Sequence, residues 1–256
     1  MWVTLEYVSK FGKCSHRKYL VQNFETNFYK LDHPDRRRAN ATYNQFPGIE
    51  YITISKWCKE WLEKDYHDEV KYAPNGINLA LFTYKERSMK DRKIRILIEG
   101  DSKSFYKNTD ESFRIVDNLD RSKFEIHYLS YYGEPKKSYR YDKYYHQVPH
   151  SEVGKIYQKC DILLKSSILE SFSYPPLEMM ATGGFCVVRP NEGNIEYLKD
   201  GVNCLFYESE EEAIEKINDL ASNKRLRNEL TKNSKKTVLE HNWDNLEKKI
   251  LKLYES

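Results

Sequence analysis

Beyond residue 93 the chain settles into a repeating pattern, in which short apolar runs of strand length alternate with amphipathic stretches of helix length. The pattern predicts strands at 93–100, 124–131, 145–148, 161–165, 185–189 and 204–207. Between and after them it predicts helices at 110–119, 151–160, 175–181, 195–199, 210–221, 224–240 and 243–255. Phe113, Val116 and Leu119 recur at three-residue spacing, and Ser151 reads as an N-cap. Pro175 and Pro176 open one helix, which Gly183 and Gly184 close. The last helix is expected to bury Trp243, Leu246, Ile250, Leu251 and Tyr254 on one stripe.

The first 85 residues are less regular. Strands are predicted at 2–8, 18–24, 49–54 and 70–73, the last stopped by Pro74, Asn75 and Gly76. Pro34 leads a loop into a short helix near residue 40, and Ser55 caps a helix at 56–64 whose Trp57 and Trp61 read as core. Residues 84–93 are densely charged and read as an exposed hinge. The expected domains are therefore 1–85 and 93–240, with a linker at 86–92 and a closing segment at 241–256.

Strands alternating with helices imply a parallel sheet covered on both faces, an α/β fold. In such sheets ligands bind beyond the carboxyl ends of the strands, which directs attention to loops 100–108, 131–150, 165–175 and 189–194.

Composition narrows the function. The 256 residues carry 42 Lys+Arg against 39 Asp+Glu, a net charge of +3, too balanced for a dedicated nucleic-acid binder. Hydrophobic residues at 39% argue against disorder. The cysteines at 14, 58, 160, 186 and 204 are odd in number and form no C-x-x-C pair, which fits a reduced, cytoplasmic setting. Cys160, Cys186 and Cys204 read as buried core thiols. No apolar stretch reaches membrane-spanning length, and residues 1–6 do not read as a signal peptide.

Several familiar sites are absent: the dinucleotide fingerprint, the P-loop, H-E-x-x-H, the G-x-S-x-G elbow and any Asp-x-Asp metal clamp. What stands out is the stretch from Glu170 to Glu178, which runs from a strand end through a loop into a helix start. The reading places a phosphate against the N–H groups of residues 176–178 and the helix dipole. Glu178 can accept from the vicinal hydroxyls of a ribose, and Glu170 from a second polyol. The plainer alternative is that Glu178 favours the helix start and Glu170 is a solvated loop residue.

Glu170 and Glu178 form an E-x7-E motif, followed by Gly183-Gly184, by Glu192-Gly193-Asn194 and by Asp200-Gly201-Val202-Asn203. This segment resembles the C-terminal half of retaining glycosyltransferases of family 4, with the GT-B fold of Rossmann-like doubly wound sheets. Lys18 to Glu25, with Phe28 and Tyr29, also resembles the start of rhamnan-synthesis rhamnosyltransferases. The resemblance implies a nucleotide-diphosphate sugar donor and a glycan or lipid-linked glycan acceptor in bacterial surface polysaccharide synthesis, with no metal or other cofactor. It implies Glu170 and Glu178 as catalytic residues, with Glu178 on the ribose and Glu170 on the donor sugar. Pro176 and Leu177 would meet the diphosphate, and Lys103, Lys107 and Lys165 would neutralise it. Gly100, Ser171 and Tyr174 complete the donor site, with the base near Val148 and His150. The chain departs from the family in its shortened first domain, where no glycine loop is found.

Two alternatives stay open. A non-catalytic, glycosyltransferase-like partner would keep a donor-like domain without the acceptor half. A glycosidase using Glu170 and Glu178 would need the two carboxyls to face each other across a sugar. Seven tyrosines at 128–145 read as half-buried rings rather than a single-strand binding platform. Arg36, Arg37 and Arg38, with the basic run at 85–93, suggest peripheral contact with the inner face of a membrane against the plainer reading of solvated loops.

Overall fold

The computed structural model describes residues 2–10, 16–44, 46–66 and 69–255, so Cys14 lies outside the described residues. Two compact units are present, one formed by Met1–Asn75 with Leu246–Ser256 and the other by Gly76–Asn245. The division falls after Asn75 instead of at 86–92, and it cuts the last helix.

The first unit contains α1 (Val3–Val8), β1 (Lys18–Val21), α2 (Pro34–Ala41), β2 (Glu50–Thr53), α3 (Lys56–Asp65) and β3 (Lys71–Tyr72). Among the described residues its strands are parallel in the order β1-β2-β3. The strand expected at 2–8 is a helix, because Trp2 and Leu5 are the buried positions and fall at helical rather than alternating spacing. Ser55 caps α3 as expected, its hydroxyl accepting from the Cys58 N–H at 3.2 Å. Trp61 packs on Phe24 and Tyr43, with ring centroids 4.7 and 5.0 Å away. Of the three arginines, Arg36 donates to the carbonyls of Thr26 and Tyr29, and Arg38 pairs with Glu6 and Asp35.

The second unit holds β4 (Ile94–Glu99), α4 (Thr109–Asp117), β5 (Phe124–Ser130), β6 (Lys143–His146), α5 (His150–Lys159), β7 (Ile162–Lys165), α6 (Tyr174–Ala181), β8 (Phe185–Val188), β9 (Leu205–Phe206), α7 (Glu210–Ser222) and α8 (Lys224–Glu240). The final helix, α9 (Trp243–Glu255), follows. All six strands run parallel in the order β6-β5-β4-β7-β8-β9. This is the expected doubly wound sheet, with the strand order reversing between β4 and β7. Ile96 sits between Ile126 and Ile162 at the centre of the sheet, and Phe113, Val116 and Ile217 cover it from the helices.

Four local expectations are corrected. Residues 195–199 form turns that hang on the Asn194 carbonyl, not a helix. α5 starts at His150 after Pro149, and Ser151 makes no cap, since Pro149 already sets the entry. The last helix exposes Trp243, Leu251 and Tyr254. Segment 86–92 is also no free hinge. Arg87 donates to the carbonyls of Cys160 and Tyr157, and Arg92 grips Asp161 through two bonds of 2.7 and 2.8 Å. Cys58, Cys160, Cys186 and Cys204 are buried and are not joined in disulfides. Tyr128 and Tyr139 join the core, with Tyr139 stacked on Phe113 at 3.8 Å, while Tyr131 and Tyr132 are exposed.

Candidate donor site at the sheet's switch point

The carboxyl ends of β4 and β7 bring together four charged groups that lie far apart in sequence. Glu99 ends β4 and Lys165 ends β7. The Lys165 side chain is 1% exposed and forms an ion pair with the Glu99 carboxylate, while also donating to the Glu99 carbonyl at 3.0 Å. Lys107 reaches in from the β4–α4 loop and places Nζ 2.8 Å from Glu170 Oε1. Lys165 Nζ lies 3.7 Å from that same oxygen. A positive charge buried this deeply needs compensation, and two carboxylates provide it for two lysines.

The electrostatics follow the geometry. Burial disfavours the Glu99 carboxylate, but Lys165 and Lys107 outweigh it and hold its pKa below the ordinary value. Burial likewise works against the charge on Lys107, and Glu170 and Glu99 overcome it, so its pKa is raised. Glu178, in the second turn of α6, which begins at Tyr174, behaves oppositely. Burial, and then the negative charge of Glu99, push it up to about 7, against a lowering by the Tyr157 hydroxyl and Lys165. Tyr157 itself is pushed well above its ordinary value, by burial first and then by Glu178.

The backbone is shaped to make this meeting happen. Gly100 has φ +153°, and a Cβ there would stand 3.1 Å from Thr109 Oγ1 and 3.3 Å from Lys107 Cβ. The missing side chain lets the loop fold back and deliver Lys107. Gly193 has the same role for the opposite wall, since a Cβ would lie 2.4 Å from the Glu170 carbonyl oxygen. The 170s loop is fixed further by Ser173, whose N–H donates to the Gly193 carbonyl at 3.0 Å. Asn191 holds the preceding turn by donating to the Ser167 carbonyl at 2.8 Å.

The helix mouth differs from the reading at 176–178. Pro175 and Pro176 carry no N–H, so the first turn of α6 offers few free donors, and Pro176 and Leu177 are buried. Cationic side chains, not backbone donors, dominate the site. Gly100 lies inside it. Tyr174 is half-buried, edge-on to Phe172 at 5.1 Å, and raised to about 12 by burial and then Glu178. Ser171 is half-buried in the loop beside Glu170. Lys103 is exposed, and the bond it shows is a backbone one to Asp101. Val148 is half-buried after β6, and exposed His150 sets its ring 5.7 Å from Phe82, so neither joins the charged cluster.

Glu99 and Tyr157 went unnoticed in the sequence. The signal for Glu99 was available, as a carboxylate placed between an apolar strand and the glycine that ends it. The hydroxyls of Thr109, Ser167 and Ser173 are also buried at this edge without a partner, leaving hydrogen-bonding capacity unused. Among the described residues no group of three His, Cys, Asp or Glu is placed to hold a metal ion. Among them, too, no helix is long and apolar enough to cross a membrane.

The family described as glycosyl transferase-like matches residues 111–252, more than half of the chain. The chain belongs to this family. Within this glycosyl transferase-like protein, 98 residues are 34% identical to the O-antigen biosynthesis protein RfbC of Myxococcus xanthus, covering 38% of the chain and 8% of RfbC. Another 107-residue match is 30% identical to N,N'-diacetylbacillosaminyl-diphospho-undecaprenol alpha-1,3-N-acetylgalactosaminyltransferase of Campylobacter jejuni, covering 41% of the chain and 28% of that enzyme. Each match thus spans less than a third of the relative's length. Among solved structures, Anabaena HepE in complex with UDP and glucose superposes with a TM-score of 0.81 at 12% identity, covering 100% of this chain and 76% of HepE. Sucrose-phosphate synthase from Thermosynechococcus elongatus gives 0.78 at 14% identity, covering 99% of this chain and 70% of the synthase. The glycosyl transferase-like chain therefore has the GT-B fold, as its sequence motifs suggested.

Proposed function

We propose that this chain transfers a sugar from a nucleotide-diphosphate donor to a glycan or lipid-linked glycan acceptor, with retention of configuration, in the cytoplasmic stage of surface polysaccharide synthesis. The observation that carries this reading is the pair of buried-edge lysines, Lys107 and Lys165, facing Glu170 at the switch point of the sheet. A diphosphate offers these lysines anionic oxygen acceptors, as the carboxylate they now hold does, and carries more negative charge. On binding it takes Lys107 from Glu170, which leaves the carboxylate beside the donor sugar. As the glycosidic bond breaks, negative charge grows on the departing phosphate oxygen, and the two ammonium groups stabilise it. The acceptor hydroxyl attacks on the same face, and its proton passes to that oxygen. The lysines supply the positive charge, so no metal ion is needed in this scheme. Glu178, in the second turn of α6, accepts from the two ribose hydroxyls.

What the relatives do supports this reading. RfbC is an O-antigen biosynthesis protein, and the Campylobacter enzyme is named for a diphospho-undecaprenol acceptor. HepE, of similar fold, was solved with UDP and glucose. A second reading, a non-catalytic partner with a donor-like unit, is favoured by the first unit, whose sheet has three strands among the described residues against six in the second. The test is a calorimetric panel of nucleoside diphosphates and their sugars, run beside a radiolabelled-donor assay on isolated glycan acceptors. Saturable donor binding with transfer supports the enzyme; binding without transfer to any acceptor supports the partner; no binding at all rejects both.

A further inference from the structure

One face of α8 lines two adjoining cavities on the second unit, and their chemistry differs from end to end. Lys224, Arg227, Asn228 and Thr231 border a cavity of about 750 Å³, completed by Arg87, Lys90 and Glu86 from the 84–90 segment. Further along the same helical stripe, Lys235, Val238 and Leu239 border a cavity of about 470 Å³ with Leu79, Phe82 and Met180. Tyr84 lines both, and Lys235 Nζ sits 4.2 Å over its ring where they meet. From Lys224 to Leu239 this groove follows the helix for about 22 Å. Both volumes fall in the range of small-molecule sites.

The first cavity holds four cations and one carboxylate. Arg87 and Arg227 spend their donors on backbone carbonyls, of Cys160 and Tyr157 and of Leu220 and Ala221, and so fix two positive charges in its wall. Lys90 and Lys224 are exposed and have no hydrogen-bond or ion-pair partner among the described residues. The positive end of the α8 dipole adds to the same field. The second cavity is apolar, and Leu239 is 58% exposed on its rim, a face that costs solvation unless it is covered.

We propose that this groove binds a single-chain anionic amphiphile, its phosphate or carboxylate head among Lys90, Lys224 and the two arginines, and its hydrocarbon chain along Val238 and Leu239. Charge at one end and apolar surface at the other select for both halves of the ligand together. The site is independent of the proposed donor site, because it borders Gly183 and Phe185 at the start of β8, at the amino end of that strand.

The test is calorimetric titration of dodecyl phosphate, kept below its micelle-forming concentration, into wild type and into Lys90→Glu, Lys224→Glu and Leu239→Asp. All three side chains are exposed, so the core is untouched. Inorganic phosphate and dodecyl maltoside serve as half-ligand controls, and Glu178→Ala as the donor-site control. The expected result is one-to-one binding that each groove variant weakens at least tenfold, that Glu178→Ala leaves unchanged, and that neither control matches within tenfold. Absence of saturable binding, wild-type affinity in the variants, or equal affinity for either control overturns the proposal. Capture on phosphatidylglycerol vesicles without saturable binding of the free amphiphile overturns it too, in favour of a membrane surface.

Discussion

Lys107 Nζ stands 2.8 Å from Glu170 Oε1, so the strongest candidate cation of the site is already held by its strongest candidate carboxylate. A diphosphate that binds here exchanges for Glu170. Glu170→Gln should therefore leave nucleotide affinity unchanged or slightly tighter, while transfer falls by about a hundredfold, the order expected for one electrostatic group at the reacting centre. Parallel calorimetry and radiolabelled-donor assays check this. A variant that loses affinity as transfer falls would show that Glu170 serves binding.

Glu178→Ala should weaken nucleotide-sugar binding at least tenfold, since charge-assisted bonds to two hydroxyls are worth about 1.5–3 kcal/mol. Unchanged affinity by calorimetry removes Glu178 from the ribose site.

The pH response of Glu178 has a definite sign. Its pKa of about 7 leaves the free protein partly protonated at neutrality, whereas hydroxyl donors require the carboxylate. Binding of UDP-glucose should release protons at pH 6.5, and affinity should rise between pH 5.5 and 8. Calorimetry in buffers of different ionisation enthalpy measures the release, and Glu178→Gln should abolish it. The same shift affects folding. From about pH 4.5 to 7 the folded state holds more protons than the unfolded one, so this group subtracts stability as pH rises through that window. Glu178→Gln should therefore raise the melting temperature more at pH 8 than at pH 5.

Arg92→Ala should destabilise the second unit by about 2 kcal/mol, measured by urea unfolding. Asp161 is 1% exposed and would keep its bond from the Arg95 N–H, at 2.9 Å, but lose both bonds from the guanidinium. A loss below about 0.5 kcal/mol would mean the pair is a surface one in energetic terms.

Nucleotide-sugar binding and any transfer should survive EDTA, because Lys107 and Lys165 carry the positive charge. A strict requirement for a divalent cation, seen as lost binding that added metal restores, would overturn the proposed site.

The second unit was legible because period and burial agree there: β4, β5, β7 and β8 are apolar runs, and the structure buries them. The E-x7-E spacing was legible for the same local reason. Contacts between segments far apart in sequence were not. Nothing near Glu99 reveals that Lys165 will lie beside it. Charge density also misled at 86–92, because Arg87 and Arg92 look solvated in a string of charges yet are anchored to carbonyls and a buried carboxylate. Trp2 to Val8 failed differently, since an alternation that short fits a strand or one turn of helix equally well.

Ile96 pairs with Ile162, so β4 must wait for a strand synthesised 66 residues later before the centre of its sheet can close. Glu99 and Lys165 are brought together by that same ladder. Closing so long a loop is slow, and parallel pairing of this kind forms late in folding. The charged cluster is therefore a product of this long-range pairing and not of any local segment. A chain released before β7 emerges has Lys107 but no counterpart for it, and cannot hold a nucleotide in this way.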